Sequence, residues 1–438
     1  MHKNAQIAII GGGYAGCAAA VRLIELGYTP TLFDASHILG GRARRVKTPT
    51  LGHIDNGQHL LLGAYQTTLN LIEKVHQKPA QDFFEILPLA WDIPQHLSFY
   101  ASPHYGAPFH LLAGLFQSKT LTFQEKMALS LFFLKVKFGQ KIDPSWSVVT
   151  WLHHWTLPER LRTLLIFPLC IAALNTPPEQ ASAWRLSQLL RESLLSLNAN
   201  DSHYYIPRCD LSTLFPEQAA HWIQARGGKI YTQARVHAVT CPSEKQFSVS
   251  VQQDEHLNQY KVSHLIYATA PYHLAHILPK TKDLETLSHD LAQLQYAPIC
   301  TIYLQYNSVI WKKNQPKMRM LPPHCTGQWF FFFPQQIRCV ISTFFQKNQT
   351  KAELVQTIIH EMKTYFQIEP EPITFQVIHE KRATFLCSTT HQPIRTQTAL
   401  NNLYIAGDYL HSHYPATLES AVQSGWDAAN LLHENFKG

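Results

Sequence analysis

Ile7-Ala8-Ile9-Ile10-Gly11-Gly12-Gly13-Tyr14-Ala15-Gly16 opens the chain's first sixty residues and governs how the remainder is read. The apolar run Ile7 to Ile10 predicts a buried strand. Cys17 to Leu26, rich in good helix formers, predicts a helix stopped at Gly27. Between them Gly11, Gly13 and Gly16 have the spacing of a dinucleotide-binding turn. In such a turn the first glycine bends the chain, the second lets a pyrophosphate reach the backbone, and the third lets helix pack on strand. The helix then offers unpaired N–H groups and a positive dipole end to phosphate. A second strand, Thr31-Leu32-Phe33, delivers Asp34 where a carboxylate can accept from a ribose hydroxyl. Strand, turn, helix and acid together predict nucleotide binding.

A chain of 438 residues is longer than one growing core supports, so two or more domains are expected. Charged residues make up only 15% while Phe, Tyr and Trp are plentiful, which suits a large apolar cavity or a membrane-facing patch as well as an ordinary core. A formal charge of +7 gives mild attraction to anionic surfaces, but there is no compact basic tract with interleaved aromatics, so nucleic acid is not an expected partner. The histidines are scattered and the eight cysteines contain no CxxC pair, so neither a metal site nor a disulfide framework is expected; a reduced, cytoplasmic protein is. The N-terminus runs almost directly into the nucleotide strand, unlike a cleavable signal peptide. The longest apolar run, Leu164 to Leu174, contains Pro168 and is too short to span a bilayer, which leaves peripheral attachment.

Along the chain, Pro79 to Tyr100 reads as irregular strand. Leu111 to Lys137 carries Leu and Phe at helical spacing, a stripe that suits core or lipid contact. Arg160 to Asn175 and Ala181 to Leu197 read as helices, the first stopping at Asn175-Thr176-Pro177-Pro178. A helix over Leu211 to Arg226, a hairpin and the strand His264 to Tyr267 predict a return to the nucleotide domain. Thr301–Tyr306, Gln328–Phe333, Cys339–Phe345 and Phe375–His379 predict a second sheet. Leu403-Tyr404-Ile405 ends in Gly407-Asp408 before a last helix from about Thr417.

The Gly-rich turn, the Gly40-Gly41-Arg42 loop and the terminal Gly407-Asp408 resemble the amine oxidase and carotenoid desaturase class of flavoproteins. Asp55-Asn56-Gly57-Gln58-His59-Leu60-Leu61-Leu62-Gly63-Ala64-Tyr65 is similar, more narrowly, to a block of the squalene-associated flavoproteins, the hydroxysqualene dehydroxylases. So are Pro168–Thr176, Glu380–Phe385 and Pro415–Gly425, and these blocks reach from one end of the chain to the other. Two departures stand out: Asp34 where Glu is usual, and Tyr409-Leu410 where Trp-Thr is usual.

The resemblance implies an α/β fold: a discontinuous Rossmann-type FAD-binding domain (residues 1–78, 204–285 and 396–438) with an inserted mixed α+β substrate-binding domain (79–203 and 286–395). It implies FAD held by Gly11, Gly13, Tyr14, Ala15, Gly16, Asp34 and Ala35, by Gly40, Gly41, Arg42, Asn56 and Gly57, by Val236, and by Gly407, Asp408, Thr417 and Leu418. Arg42 and Arg44 would pair with phosphate oxygens. The helix from Thr417 would turn its N-terminus toward the N1–C2=O edge of the flavin and stabilise the anionic reduced form. His59, Asp55 and Gln58 are the expected catalytic cluster, with His59 or Asp55 as general acid. Trp329 and Phe330 to Phe333 are candidates for cation-stabilising rings.

The implied reaction is reductive dehydroxylation of hydroxysqualene, a C30 isoprenoid, to squalene. The alternative is a desaturase oxidising a squalene- or carotenoid-like polyene. Expected partners are the isoprenoid, the inner face of the membrane, docked through Leu111 to Leu134, and a separate, unidentified electron donor.

Overall fold

The computed structural model describes residues 5–102, 104–243, 246–312, 315–345, 349–390, 394–410 and 414–437. A five-stranded, all-parallel sheet runs in the order Lys229–Tyr231, Thr31–Phe33, Ile7–Ile10, His264–Tyr267, Leu403–Ile405. Its central strands are buried along their length, as continuous apolar runs require when both faces are covered. The first helix, Tyr14–Glu25, packs against the last, Leu418–Lys437. They meet so closely that a Cβ on Gly425 would lie 2.0 Å from the Ala15 carbonyl oxygen. Glu419 binds the chain's two ends together: its buried carboxylate accepts from the N–H groups of Thr67 and Thr68, at 3.0 and 2.9 Å. Those are orphan donors at the start of helix Gln66–His76.

The second sheet is antiparallel, in the order Met318–Met320, Trp329–Phe333, Gln336–Ser342, Tyr296–Gln305, Thr374–Phe385. Helix Lys351–Phe366 covers one face, taking Phe330 and Phe332 against Phe366. Trp329 and Phe331, one residue out of phase, point to the opposite face.

Three predicted helices differ from expectation, each for a local reason. Arg160 to Asn175 is not one α-helix: Arg162–Ile166 is a π turn between Glu159–Leu161 and Phe167–Leu174. Pro168 has no N–H to give the carbonyl of Leu164, four residues back, and its ring crowds that carbonyl. The indole N–H of Trp91 donates to the Leu164 carbonyl instead, at 3.0 Å. Leu211 to Arg226 breaks at Phe215, because Pro216 begins a second helix, Pro216–Gln224. Ala181 to Leu197 narrows to Ala183–Glu192, capped by the Ser182 hydroxyl. Asn175, by contrast, ends its helix in the left-handed conformation that its position before Thr176-Pro177 suggested.

Candidate active site

A cavity of about 1030 Å³ lies between the two sheets. Drug-sized ligand pockets span roughly 300–1,000 Å³, so this one lies at the upper end of that range, in keeping with a large cofactor. One end is walled by Gly11, Gly13, Tyr14, Ala15, Asp34, Ala35 and Val236, the middle by Gly40 to Arg44 and Asn56 to Leu60, and the C-terminal side by Gly407, Asp408, Thr417 and Leu418. The far end is apolar, with Leu89, Leu169, Leu190, Leu194, Trp329 and Phe331.

The nucleotide end is made of backbone. Gly40 donates its N–H to the Gly12 carbonyl at 2.9 Å, and the two glycine loops run side by side at Gly13 and Gly40. Gly11 has φ +106°, and a Cβ there would sit 2.5 Å from the Ala268 carbonyl oxygen; only glycine fits. Asp34 accepts from the N–H of Gly12 at 2.6 Å and of Ser36 at 2.6 Å, which fixes its carboxylate beside the turn. Arg42 is paired with Asp408 at 2.5 Å and donates to the Ala383 carbonyl at 2.7 Å. Burial works against its charge, but Asp408 outweighs burial and keeps the guanidinium protonated.

Every residue expected to hold a cofactor lies on the cavity wall except Gly16, which serves from behind: a Cβ there would fall 1.9 Å from the Gly11 carbonyl oxygen. Of the expected catalytic cluster, His59 and Gln58 are on the wall and Asp55 is not. Its carboxylate accepts from the Leu211 N–H at 2.8 Å, at the start of a short helix outside the cavity. Burial pushes it up to about 6, against the opposing pull of that N–H and of Arg338. Asp55 is therefore a protonatable group turned away from the space where a general acid was expected. Nor is His59 a ready acid. Its Nδ1 must carry the proton, because it lies 3.0 Å from the Gly57 carbonyl, which can only accept. Burial lowers its pKa, with Arg42 adding to the effect, and holds the ring neutral. The ring set is also smaller than expected: Trp329 and Phe331 reach the cavity, while Phe330, Phe332 and Phe333 do not.

One residue was not anticipated. Arg338, from the second sheet, donates from Nη1 to the Gln58 Oε1 at 2.7 Å. It stacks over Phe333, 4.2 Å from the ring centre, and has no carboxylate in ion-pair contact among the described residues. The Gln58 Nε2 meanwhile donates to the His59 carbonyl at 2.8 Å, so the amide is held at both ends. The only signal in the sequence was a charge at period two within an apolar strand.

Residues 193–433, more than half of the chain, match the family model described as flavin containing amine oxidoreductase. The chain belongs to that family. Residues 9–75 also match an NAD(P)-binding Rossmann-like domain. This FAD-dependent oxidoreductase is 26% identical to a hydroxysqualene dehydroxylase of Zymomonas mobilis, over 97% of this chain and 98% of the relative. It is 25% identical to one of Rhodopseudomonas palustris, over 97% of each. It is 20% identical to the 15-cis-phytoene desaturase of an Oncidium hybrid, over 99% of this chain and 78% of that one. Among solved structures, an oxidoreductase from Methanosarcina mazei superposes with TM-score 0.72 at 15% identity, over 97% of this chain and 100% of that one. Cyclohexylamine oxidase from Brevibacterium oxydans does so with TM-score 0.69 at 15% identity, over 99% and 100%. At these identities the two structures establish the fold.

The residues present fit FAD. The paired glycine loops form a cradle that a Cβ would fill, two helix N-termini meet the cavity, and Thr269 and Thr301 on its wall have buried hydroxyls without a partner.

Proposed function

We propose that this oxidoreductase is a hydroxysqualene dehydroxylase, reducing a C30 allylic alcohol to the hydrocarbon with release of water. The observation that carries the reading is one continuous cavity, polar at Gln58 and His59 and apolar at Leu190, Leu194 and Trp329. The near-full-length likeness to proteins named hydroxysqualene dehydroxylase supports it. Bound reduced FAD would supply the hydride and solvent the proton, so that alcohol, anionic reduced flavin and a proton become hydrocarbon, water and oxidised flavin. A separate reductase or small electron carrier restores the reduced state.

The chain's own residues hold the departing oxygen. Arg338 draws electron density toward the Gln58 Oε1, which strengthens the free Nε2–H as a donor to the leaving hydroxyl. His59, with its proton pinned on Nδ1, offers Nε2 as an acceptor that orients the hydroxyl hydrogen. Trp329 and Phe331 present ring faces and edges to an allylic cation and keep water away.

A second reading, a desaturase passing electrons the other way, is favoured by the likeness to phytoene desaturase along the whole chain. Anaerobic stopped-flow absorbance separates the two. Reduced, FAD-loaded protein mixed with hydroxysqualene in detergent should reoxidise as squalene forms, identified by mass. No reoxidation, with bleaching of the oxidised protein by a polyene, would establish the desaturase instead.

A further inference from the structure

Helix Phe123–Lys137 is apolar on two sides. Leu129, Phe132 and Val136 are buried in the core. Phe123, Met127, Leu131, Leu134 and Phe138 recur every three or four residues along the outer side, and all are exposed: Phe123 by 71% and Phe138 by 80%. The neighbouring helix, Phe109–Gln117, adds exposed Phe109 and Phe116. A soluble surface does not gather seven large apolar side chains on two adjoining helices without a partner.

The charge of this segment identifies the partner. Lys119, Lys126, Lys135, Lys137 and Lys141 lie in the same stretch of chain, and none is in an ion pair among the described residues. The one acid of helix Phe123–Lys137, Glu125, is held by Arg160 at 2.8 Å. Five lysines against one exposed acid, Asp143 beside Lys141, match an anionic lipid surface into which the rings and methyls insert.

The patch is also continuous with the cavity. Lys137 Nζ donates to the Leu195 carbonyl at 3.3 Å, and Arg191 Nε to the Val136 carbonyl at 3.2 Å. Leu194, next in the chain to Leu195, is on the cavity wall, and Leu197 is 78% exposed. The apolar end of the cavity thus lies directly behind the C-terminal end of the lipid-facing stripe.

We infer that helices Phe109–Gln117 and Phe123–Lys137 lie in the plane of an anionic bilayer, and that hydrocarbon passes between membrane and cavity along Leu194 to Leu197. The docking rests on this surface alone; the passage rests on the apolar substrate proposed above.

The test is flotation of the full-length, FAD-loaded protein with vesicles of phosphatidylcholine alone or mixed with phosphatidylglycerol. Wild type should float with the mixed vesicles, less so in high salt. Phe123→Glu/Leu131→Glu should bind about tenfold more weakly or worse. Both side chains point outward, so thermal midpoint and flavin content should be unchanged; Phe132, being core, is left intact. The double variant should retain turnover of detergent-dispersed substrate and lose it with vesicle-borne substrate. Equal flotation of variant and wild type would overturn the docking, as would wild type that ignores both vesicle types. A dimer dissolved by the variant, without vesicle binding, would assign the patch to a second copy and overturn it too. Flotation with no turnover of hydroxysqualene in either format would sink the proposed reaction and leave the docking standing.

Discussion

At the nucleotide end of the cavity the wall is backbone held against backbone, while at the substrate end it is side chains delivered from segments far apart in the chain. Gly11, Gly13 and Gly40 act by what they lack, and within thirty-five residues of sequence they fix where a phosphate can approach. Gln58 instead depends on Arg338, which arrives from another sheet 280 residues later. A Cβ at Gly11 or Gly40 would strike a backbone carbonyl oxygen and one at Gly13 would take up space beside the second glycine loop, whereas a side-chain wall tolerates change and takes its chemistry from orientation and charge.

The sharpest way to break the first wall is Gly16→Ala. With the new Cβ 1.9 Å from the Gly11 carbonyl oxygen, the turn must shift, at a cost of about 3 kcal/mol or more. Flavin absorbance after reconstitution should be lost, and expression should fall with it. The second wall should fail more gently. Arg338→Met preserves the stem and removes the charge, and turnover should drop about 100-fold, comparable to loss of one preorganised donor, with flavin content retained. An unchanged rate would show that Gln58 needs no polarising partner.

Asp55 sharpens the contrast from outside the cavity. Its folded-state pKa is raised to about 6 from 3.8, so the preference of the fold for the protonated carboxyl is present below pH 3.8 and lost as pH rises through 6. Denaturant unfolding should show a loss across that window, no more than about 2 kcal/mol after allowing for partial solvent screening, that Asp55→Asn lacks. If Asp55 were instead the catalytic acid, the same variant would abolish turnover. The smallest expected effect is at Thr301. Thr301→Val removes an unpartnered buried hydroxyl, so the flavin-free protein should be unchanged or slightly more stable. Flavin affinity, read by fluorescence titration, should weaken by about 1 kcal/mol where the cofactor is that hydroxyl's partner.

The same contrast explains what could be read from the sequence. The strand, turn, helix and acid of residues 7–34 are legible because each is a local rule about glycine, periodicity or capping. The strands of the second sheet were legible as strand-like runs, but a tryptophan followed by four phenylalanines does not say which of these rings face the cavity. Side-chain partnerships across the fold were not legible. Nothing near Asp55 says that the Leu211 N–H will take its carboxylate, and nothing near Arg338 names Gln58. Pro168 and Pro216 are local signals for the breaks that the expected helices ran through, whereas the use by Trp91 of the carbonyl that Pro168 leaves unpaired depends on tertiary packing.

The parallel sheet has a consequence for how the molecule is made. Its middle strand, Ile7–Ile10, pairs with His264–Tyr267, and that strand in turn needs Leu403–Ile405 at the edge. A ribosome releases residue 10 when some four hundred residues of the fold remain to be synthesised. Ile7–Ile10 waits about 250 residues for His264–Tyr267, that strand waits in turn for Leu403–Ile405, and Thr67 and Thr68 wait for Glu419. The cofactor site, encoded first, is completed last, so the nascent chain is most open to mispairing and to chaperones through most of its synthesis.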